Sequence, residues 1–242
     1  ADVRSLARDW QWEAAADELR DLGQTLIRTS SLPRDAGPVL GVMAGHAVVD
    51  PRGIWFPAGG LGDHLTSFGA VFLETGQSRC TVWLQAGAVA AGGTVVEPFA
   101  HWTKFPHARL WTHYAAGCTV LESYYQSIRC PLQYLPLGDP LAAPWKARAD
   151  VTITGLDDAV AANGGLVRIS ASDPRRAGWV SVSLFLDGRE VWHGGLGDPI
   201  RLDLSGLAPG PHECRAVVRT GGLLRNQAFS VRMVDLPDRE SP

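Results

Sequence analysis

Two side chains able to do nucleophilic chemistry, His64 and Ser67, lie three residues apart in the sequence. A serine hydroxyl attacks a substrate only when a neighbouring base takes its proton, and histidine is the usual base. The acidic partner of such a pair would be Asp63, Glu97 or Asp139. Because Ser67 is not set in a Gly-x-Ser-x-Gly elbow, a structural interpretation stays open. In that interpretation His64 bonds a backbone carbonyl and Ser67 packs within the layer.

The elements that must position these residues are two apolar runs, Val39–Ala44 and Ala88–Ala91. Continuous apolar runs of this kind are typical of strands buried on both faces, and we expect the two to be neighbours in one sheet. Open α/β sheets bind ligands beyond the carboxyl ends of their strands. His46 and Glu97 follow the two runs, so the sequence predicts that they share a cleft with Ser67. His46 also fits a structural histidine, and Glu97 either accepts backbone N–H bonds or faces a ligand.

A loop rich in aromatic and charged residues follows Glu97. It carries His101, Lys104 and His107 beside Trp102 and Phe105, and such loops either line clefts or dock on the surface through their aromatic rings. The residues predicted to bind a ligand are therefore Asp63, Glu97, His101 and Lys104. The spacing of the histidines in this region matches no standard metal-ligand pattern, so neither a metal nor another cofactor is expected.

Residues 1–148 alternate helix-like and strand-like segments, which predicts a layered, mostly parallel α/β sheet. The first helix is expected to begin at a Ser5 cap and to end at Gly23, with Arg8 on its solvent-facing side. The remaining predicted elements are a strand at Gln24–Arg28, helices at Gln77–Gln85, Ala108–Ala116 and Thr119–Ile128, and a last, edge strand at Tyr134–Leu137.

Residues 149–237 have a different hydrophobic pattern, with a period of two residues. Apolar and polar residues alternate there in seven short runs with frequent turn signals, and Asp187-Gly188 marks a hairpin. This pattern predicts an immunoglobulin-like β-sandwich. The predicted strands are Val151–Thr154, Leu166–Ser170, Val180–Leu186, Glu190–Trp192, Ile200–Leu204, Glu213–Arg219 and Ala228–Val234.

Composition excludes some partners. The chain has 242 residues and a net charge of −3, with Lys and Arg scattered, so no basic surface is expected to attract nucleic acid. No apolar run approaches the roughly 20 residues needed to cross a bilayer, so the chain is not expected to span a membrane. Four cysteines stand outside any Cys-x-x-Cys pair. They are either buried free thiols or include one disulfide among Cys80, Cys118 and Cys130.

Residues 37–145 resemble a family of bacterial conserved hypothetical proteins, most of which are predicted to be exported. Several motifs occur in the same order as in that family, and together they cover somewhat less than half of the chain. The matching segments are Phe56-Pro-Ala-Gly, Asp63-His-Leu-Thr-Ser-Phe-Gly69, Trp83-Leu-Gln-Ala-Gly-Ala88, Gly93-Thr-Val-Val-Glu-Pro98 and Gly138-Asp-Pro-Leu141.

That family is in turn similar to the caspase–haemoglobinase fold of the gingipain peptidases. In those enzymes a Gly-His pair ends one strand and a nucleophilic cysteine ends the next. Gly45-His46 matches the first element, but the segment from Asp63 to Gly69 contains no cysteine, and Cys80 comes too late, on the predicted helix. The resemblance therefore implies the fold and argues against the peptidase activity, since a thiolate is required for it.

The function expected from these observations is that of a non-catalytic, exported binding or assembly protein on a degenerate gingipain-like fold. Its location would be periplasmic, cell-surface or extracellular. The alternatives are a hydrolase that uses His64 and Ser67, and a structural subunit of a larger extracellular assembly. Because a gingipain-like sheet needs a first βα half, we also expect an upstream segment before Ala1. The expected partners are that segment or another protein chain, with a peptide or surface polymer as a further possibility.

Overall fold

The computed structural model describes residues 3–73, 76–97, 99–156, 165–173, 178–221 and 225–238. The chain divides into two compact units, Ala1–Lys146 and Ala147–Pro242.

The first unit is built on one four-stranded sheet in the order β1-β2-β3-β4. Strands β1, β2 and β3 are parallel, and β4 runs antiparallel to β3. A mixed sheet with helices in its connections agrees with the predicted α/β class. The strands are β1 (Gly41–Ala44), β2 (Leu61–His64), β3 (Ala90–Thr94) and β4 (Tyr134–Gly138).

The expectation that the first two apolar runs are neighbouring strands is wrong, because β2 lies between β1 and β3. Leu61 of β2 pairs with Gly41 on one side and with Ala90 on the other. The sequence of β2 is Leu-Gly-Asp-His, and Gly and Asp are depleted from strands, so its propensity gave no signal. Complete burial within the sheet overrides that weak local preference.

The described part of the first unit contains five α-helices. Helix α5 begins with a capping box, in which Thr119 and Glu122 satisfy each other's backbone N–H groups. The helices predicted at 108–116 and 119–128 are thus confirmed. The bounds are α1 (Val3–Leu6), α2 (Trp12–Asp21), α3 (Thr81–Gln85), α4 (Arg109–Ala115) and α5 (Val120–Ser127).

The amino-terminal helix is interrupted rather than continuous. A 3₁₀ turn at Asp9–Gln11 separates α1 from α2. Ser5 lies inside α1, and its hydroxyl donates to the Gly45 carbonyl at 3.3 Å instead of capping a helix. Gly23 ends α2 with φ +74°, as predicted. The segment 24–28 forms no strand, because none of its backbone pairs with another strand in the described residues.

Small residues in β3 let aromatic rings close over the sheet. The sequence of β3 is Ala-Ala-Gly-Gly-Thr, and all five residues are buried. A Cβ on Gly92 would lie 2.3 Å from the Tyr134 ring, and one on Gly93 would lie 2.4 Å from the Gly69 carbonyl carbon. Both glycines are therefore required by space, since real Cβ atoms essentially never approach other atoms this closely.

The described residues of the second unit form seven antiparallel strands in two sheets, β11-β10-β7-β8 and β5-β6-β9. Both sheets contribute side chains to one apolar core, including Ile169 from β6 and Leu184 from β7. The seven predicted strands are confirmed, with longer bounds for most. They are β5 (Asp150–Thr154), β6 (Gly165–Ser172), β7 (Trp179–Leu186), β8 (Arg189–Gly195), β9 (Ile200–Leu202), β10 (Gly210–Thr220) and β11 (Gln227–Leu236).

The predicted hairpin between β7 and β8 turns at Asp187 and Gly188, with φ +48° and +79°. Positive φ at both residues is the backbone of a type I′ turn, for which Asp-Gly is a preferred pair. The Asp187 carboxylate accepts a bond from the Glu213 backbone N–H at 2.9 Å and another from His212 Nδ1 at 2.5 Å. The turn is therefore anchored to the neighbouring strand β10.

We expect the link between His212 and Asp187 to make the second unit's stability depend on pH. His212 also donates from Nε2 to the Ala208 carbonyl at 2.8 Å, so both ring nitrogens act as donors and the ring is a cation. These bonds, the one to Asp187 first, raise the pKa of His212 above 6.5. A raised folded pKa gives stability that is complete below the unfolded pKa and is lost as pH rises through the folded value.

The measurement is an NMR titration of the His212 ring in wild-type protein and in Asp187→Asn. The variant should bring the His212 pKa down toward the ordinary value, and the loss of stability between neutral and mildly alkaline pH should shrink with it. An unchanged His212 pKa in the variant would show that Asp187 does not hold the cation.

Candidate functional site

The site begins from the common edge at which the three parallel strands of the first unit end. His46 follows the end of β1 by two residues, and Asp63 and His64 are the last residues of β2. Glu97 comes three residues after β3. Strand β4 starts at the same edge, where Tyr134 pairs with Thr94. The topology thus brings the sequence-predicted residues to one edge of the sheet, as expected for strands that run in parallel.

His64 is buried at this edge, with 1 % of its surface exposed. Its Nε2 lies 2.9 Å from the Ser78 carbonyl, which can only accept, so Nε2 carries the proton. Its Nδ1 accepts a bond from the Trp83 indole N–H at 2.9 Å. Burial is the main cause that lowers the pKa of His64, which keeps the ring neutral.

These bonds leave His64 no free nitrogen with which to take a proton from Ser67. The hydroxyl of Ser67 makes no hydrogen bond to His64, and the Ser67 backbone carbonyl accepts instead from Thr94 Oγ1 at 2.7 Å. The geometry therefore does not support a catalytic pair, and it agrees with the structural interpretation of His64 as a group that bonds a backbone carbonyl.

Asp63 is likewise part of the core rather than a ligand-facing carboxylate, with 0 % of its surface exposed. Its Oδ2 accepts from Arg8 Nη1 at 2.5 Å, and its Oδ1 accepts from the Tyr134 hydroxyl. Arg8 is 2 % exposed, so the expectation that it faces solvent is wrong. Arg8 lies between α1 and the 3₁₀ turn, outside regular α-helix. The helical periodicity that placed its side chain on the solvent-facing side therefore does not apply.

The buried pair belongs to a polar centre with more donors than acceptors. This Arg8–Asp63 centre consists of Arg8, Gln11, Asp63, Tyr124 and Tyr134. The Tyr124 and Tyr134 rings stack with centroids 5.9 Å apart, and Gln11 Oε1 accepts from the Ala108 backbone N–H at 2.9 Å. Arg8 Nε and Nη2, Gln11 Nε2 and the Tyr124 hydroxyl are buried without a partner in the described residues. Such groups are ordinarily satisfied by an ordered water or another small acceptor.

None of the three buried cysteines is prepared to act as a nucleophile. All four are free thiols, so no disulfide joins Cys80, Cys118 and Cys130 in the structure. Cys80 lies immediately before α3, and burial raises its pKa to about 11. Burial also raises the pKa of Cys118 and that of Cys214, the latter to about 11, so these thiols stay protonated at neutral pH.

The other predicted site residues lie outside the core. Glu97 is half-buried and accepts from the Phe99 backbone N–H at 2.8 Å, which is the backbone-bonding alternative for this carboxylate. His46 and His101 are exposed, and Lys104 is half-buried. No group of His, Cys, Asp and Glu in the described part of the chain is arranged to hold a metal ion.

A feature that the sequence reasoning missed is a set of exposed apolar side chains at this same edge. Each strand end contributes: Leu73, after β2, is 95 % exposed, and Leu132, before β4, is 94 % exposed. The signal was present as short apolar runs in the segments between the strands, but the exposure of these side chains is not visible in a sequence. We call this set the apolar edge; its members are Val48, Phe72, Leu73, Val95, Val96, Phe99 and Leu132.

No protein-family model matches the chain, and no curated protein matches its sequence. Among the described residues, none of the helices has the length and apolar character that crossing a membrane requires.

Proposed function

We propose that this chain is a non-catalytic, exported binding or assembly protein, built on a degenerate gingipain-like unit and followed by an immunoglobulin-like module. The proposal rests on the two residues that end β2. His64 and Asp63 are buried, and the hydrogen-bonding atoms of their side chains already have partners inside the protein. A catalytic edge would instead present a free base and a nucleophile to an open site.

The gingipain-like assignment rests on the order of elements as well as on the motifs. Gly45-His46 follows β1, and the segment from Asp63 to Gly69 follows the end of the adjacent strand β2. In a gingipain-like peptidase these two places hold the histidine and the cysteine. Here the second place holds no cysteine, and Cys80 is buried with a raised pKa. The export of the chain is proposed from the family resemblance alone.

The binding role rests on the apolar edge. A patch of exposed apolar side chains commonly marks an interaction site, and here exposed apolar residues flank the same end of all four strands of one sheet. The occupant we propose is another protein chain with an apolar surface. An anionic membrane would call for a cluster of Lys or Arg, whereas Lys and Arg are scattered along this chain and its net charge is −3.

The absence of catalysis is tested with activity-based probes. A fluorophosphonate serine probe and an iodoacetamide thiol probe are applied to native wild-type protein, to Ser67→Ala and to Cys80→Ala. We expect the serine probe to label wild type and Ser67→Ala equally, at the level of the heat-denatured control. The native thiol reaction should be confined to Cys130, the one half-buried cysteine in the described structure. Labelling that disappears in Ser67→Ala would establish the hydrolase alternative instead.

The binding role is tested by site-specific photo-crosslinking in the producing cell. A benzophenone amino acid at position 73 or 132 reports on the apolar edge. The control is position 141, where Leu141 is 76 % exposed but follows the opposite end of β4. We expect one protein adduct of discrete mass from positions 73 and 132, absent from position 141 and abolished by Phe99→Asp. Equal adducts from all three positions, or none from any, would remove the support for a docking edge.

A further inference from the structure

A second polar site lies in the second unit, on the sheet formed by β7, β8 and β10. An open groove of about 640 Å³ crosses the face of β7 there. Its size falls within the range of ordinary ligand sites, roughly 300–1,000 Å³. The residues that supply its chemistry are Ser181, Ser183, Glu190, His193, Arg219 and Arg225.

One side of the groove is held in place by a chain of hydrogen bonds. Arg219 Nη1 donates to Ser183 Oγ at 2.7 Å. The same hydroxyl lies 3.0 Å from His193 Nδ1, so Ser183 links the arginine to the histidine. His193 Nε2 makes no hydrogen bond to any described residue. Arg219 and His193 are thus held together at the side of the groove.

The arrangement of Ser183 and His193 is not that of a hydrolase. Ser183 is buried, and its hydroxyl is already held by Arg219 and contacts His193. Glu190 lies 3.5 Å from His193 Nδ1, the same nitrogen that Ser183 contacts, whereas a catalytic acid binds the nitrogen opposite the serine. The serine therefore positions the arginine and the histidine and does not attack.

The groove carries more positive than negative charge. Two arginines face one glutamate, and neither arginine forms an ion pair with a carboxylate in the described part of the chain. A guanidinium matches the two oxygens of a carboxylate with parallel N–H bonds. Glu190 repels a continuous polyanion such as nucleic acid, but it accepts a bond from a peptide N–H. We infer that this groove binds a short acidic peptide segment, with Arg219 and Arg225 on its carboxylate.

The test measures the binding of a fluorescein-labelled hexapeptide containing two glutamates and of its twin containing glutamines. By fluorescence anisotropy the wild-type protein should bind the glutamate peptide about 10- to 100-fold more tightly than the glutamine twin. Arg219→Gln and Arg225→Gln should each remove most of that preference. Arg201→Gln on β9, an arginine exposed outside the groove, is the matched control and should leave it unchanged.

Arg225 is exposed and makes no hydrogen bond to another described residue, so its substitution tests the site without disturbing the fold. Inorganic sulfate and free acetate, added at matched ionic strength, distinguish a peptide site from a simple anion site. Weak displacement by both, with the preference lost in Arg225→Gln, supports an acidic peptide as ligand. Equal binding of the two peptides, an equal effect of Arg201→Gln, or full displacement by sulfate or acetate overturns the inference.

Discussion

Asp63→Ala is expected to destabilise the first unit by about 3–5 kcal/mol, the cost of leaving one partner of a buried ion pair behind. Arg8 would keep its charge in an interior from which water is excluded, since it is 2 % exposed and bonds no other carboxylate in the described residues. The Tyr134 hydroxyl would lose its acceptor in the same step. The measurement is denaturant unfolding at neutral pH.

Two variants accompany this experiment. Asp17→Ala removes the carboxylate of an exposed pair with Arg20 on α2, and such pairs contribute about 1 kcal/mol or less. The double variant Arg8→Met/Asp63→Leu replaces both charges by apolar groups and should recover most of the lost stability. If Asp63→Ala costs no more than Asp17→Ala, the carboxylate is not buried as described.

Gly93→Ala is expected to cost about 3 kcal/mol or more, because the added methyl group has no space and its neighbours cannot move aside. The new Cβ would lie 2.4 Å from the Gly69 carbonyl carbon and 2.6 Å from the Ala70 nitrogen, both backbone atoms. This clash could be relieved only if β3 moved away from the segment that follows β2. The measurements are the soluble yield and the thermal unfolding midpoint.

Gly178→Ala is the control for the substitution itself, since a Cβ there meets nothing within 4 Å. Its unfolding midpoint should stay near that of wild type. Gly92→Ala should be intermediate or equally severe, because its Cβ would meet the Tyr134 ring, a side chain with some freedom to rotate. A midpoint for Gly93→Ala close to wild type would mean that β3 does not approach this backbone.

The second unit was the most predictable part of the fold. Its strands alternate apolar and polar residues, so the sequence carried their period, and Asp187-Gly188 located the hairpin. Helix α5 was also predicted, and its capping pair Thr119 and Glu122 shows an equally local signal. Signals of this kind depend on neighbours in sequence and need no knowledge of tertiary contacts.

The candidate site was predictable only in part, because its character depends on contacts across long stretches of sequence. The edge of the sheet was located correctly, since residues that follow parallel strands meet there. The roles of His64 and Asp63 could not be predicted. Trp83 donates to one nitrogen of His64, and Arg8 bonds Asp63 from 55 residues away in the sequence. Nothing near Asp63 in the sequence shows that its partner is an arginine on the first helical segment.

The link between Arg8 and Asp63 has a consequence for the way the protein is degraded. The turn that follows α1 supplies the only guanidinium that neutralises Asp63 within the described residues. A backbone cut that releases the segment carrying Arg8 therefore leaves an unpaired carboxylate inside the sheet. We expect such a nicked protein to be digested faster than the intact chain.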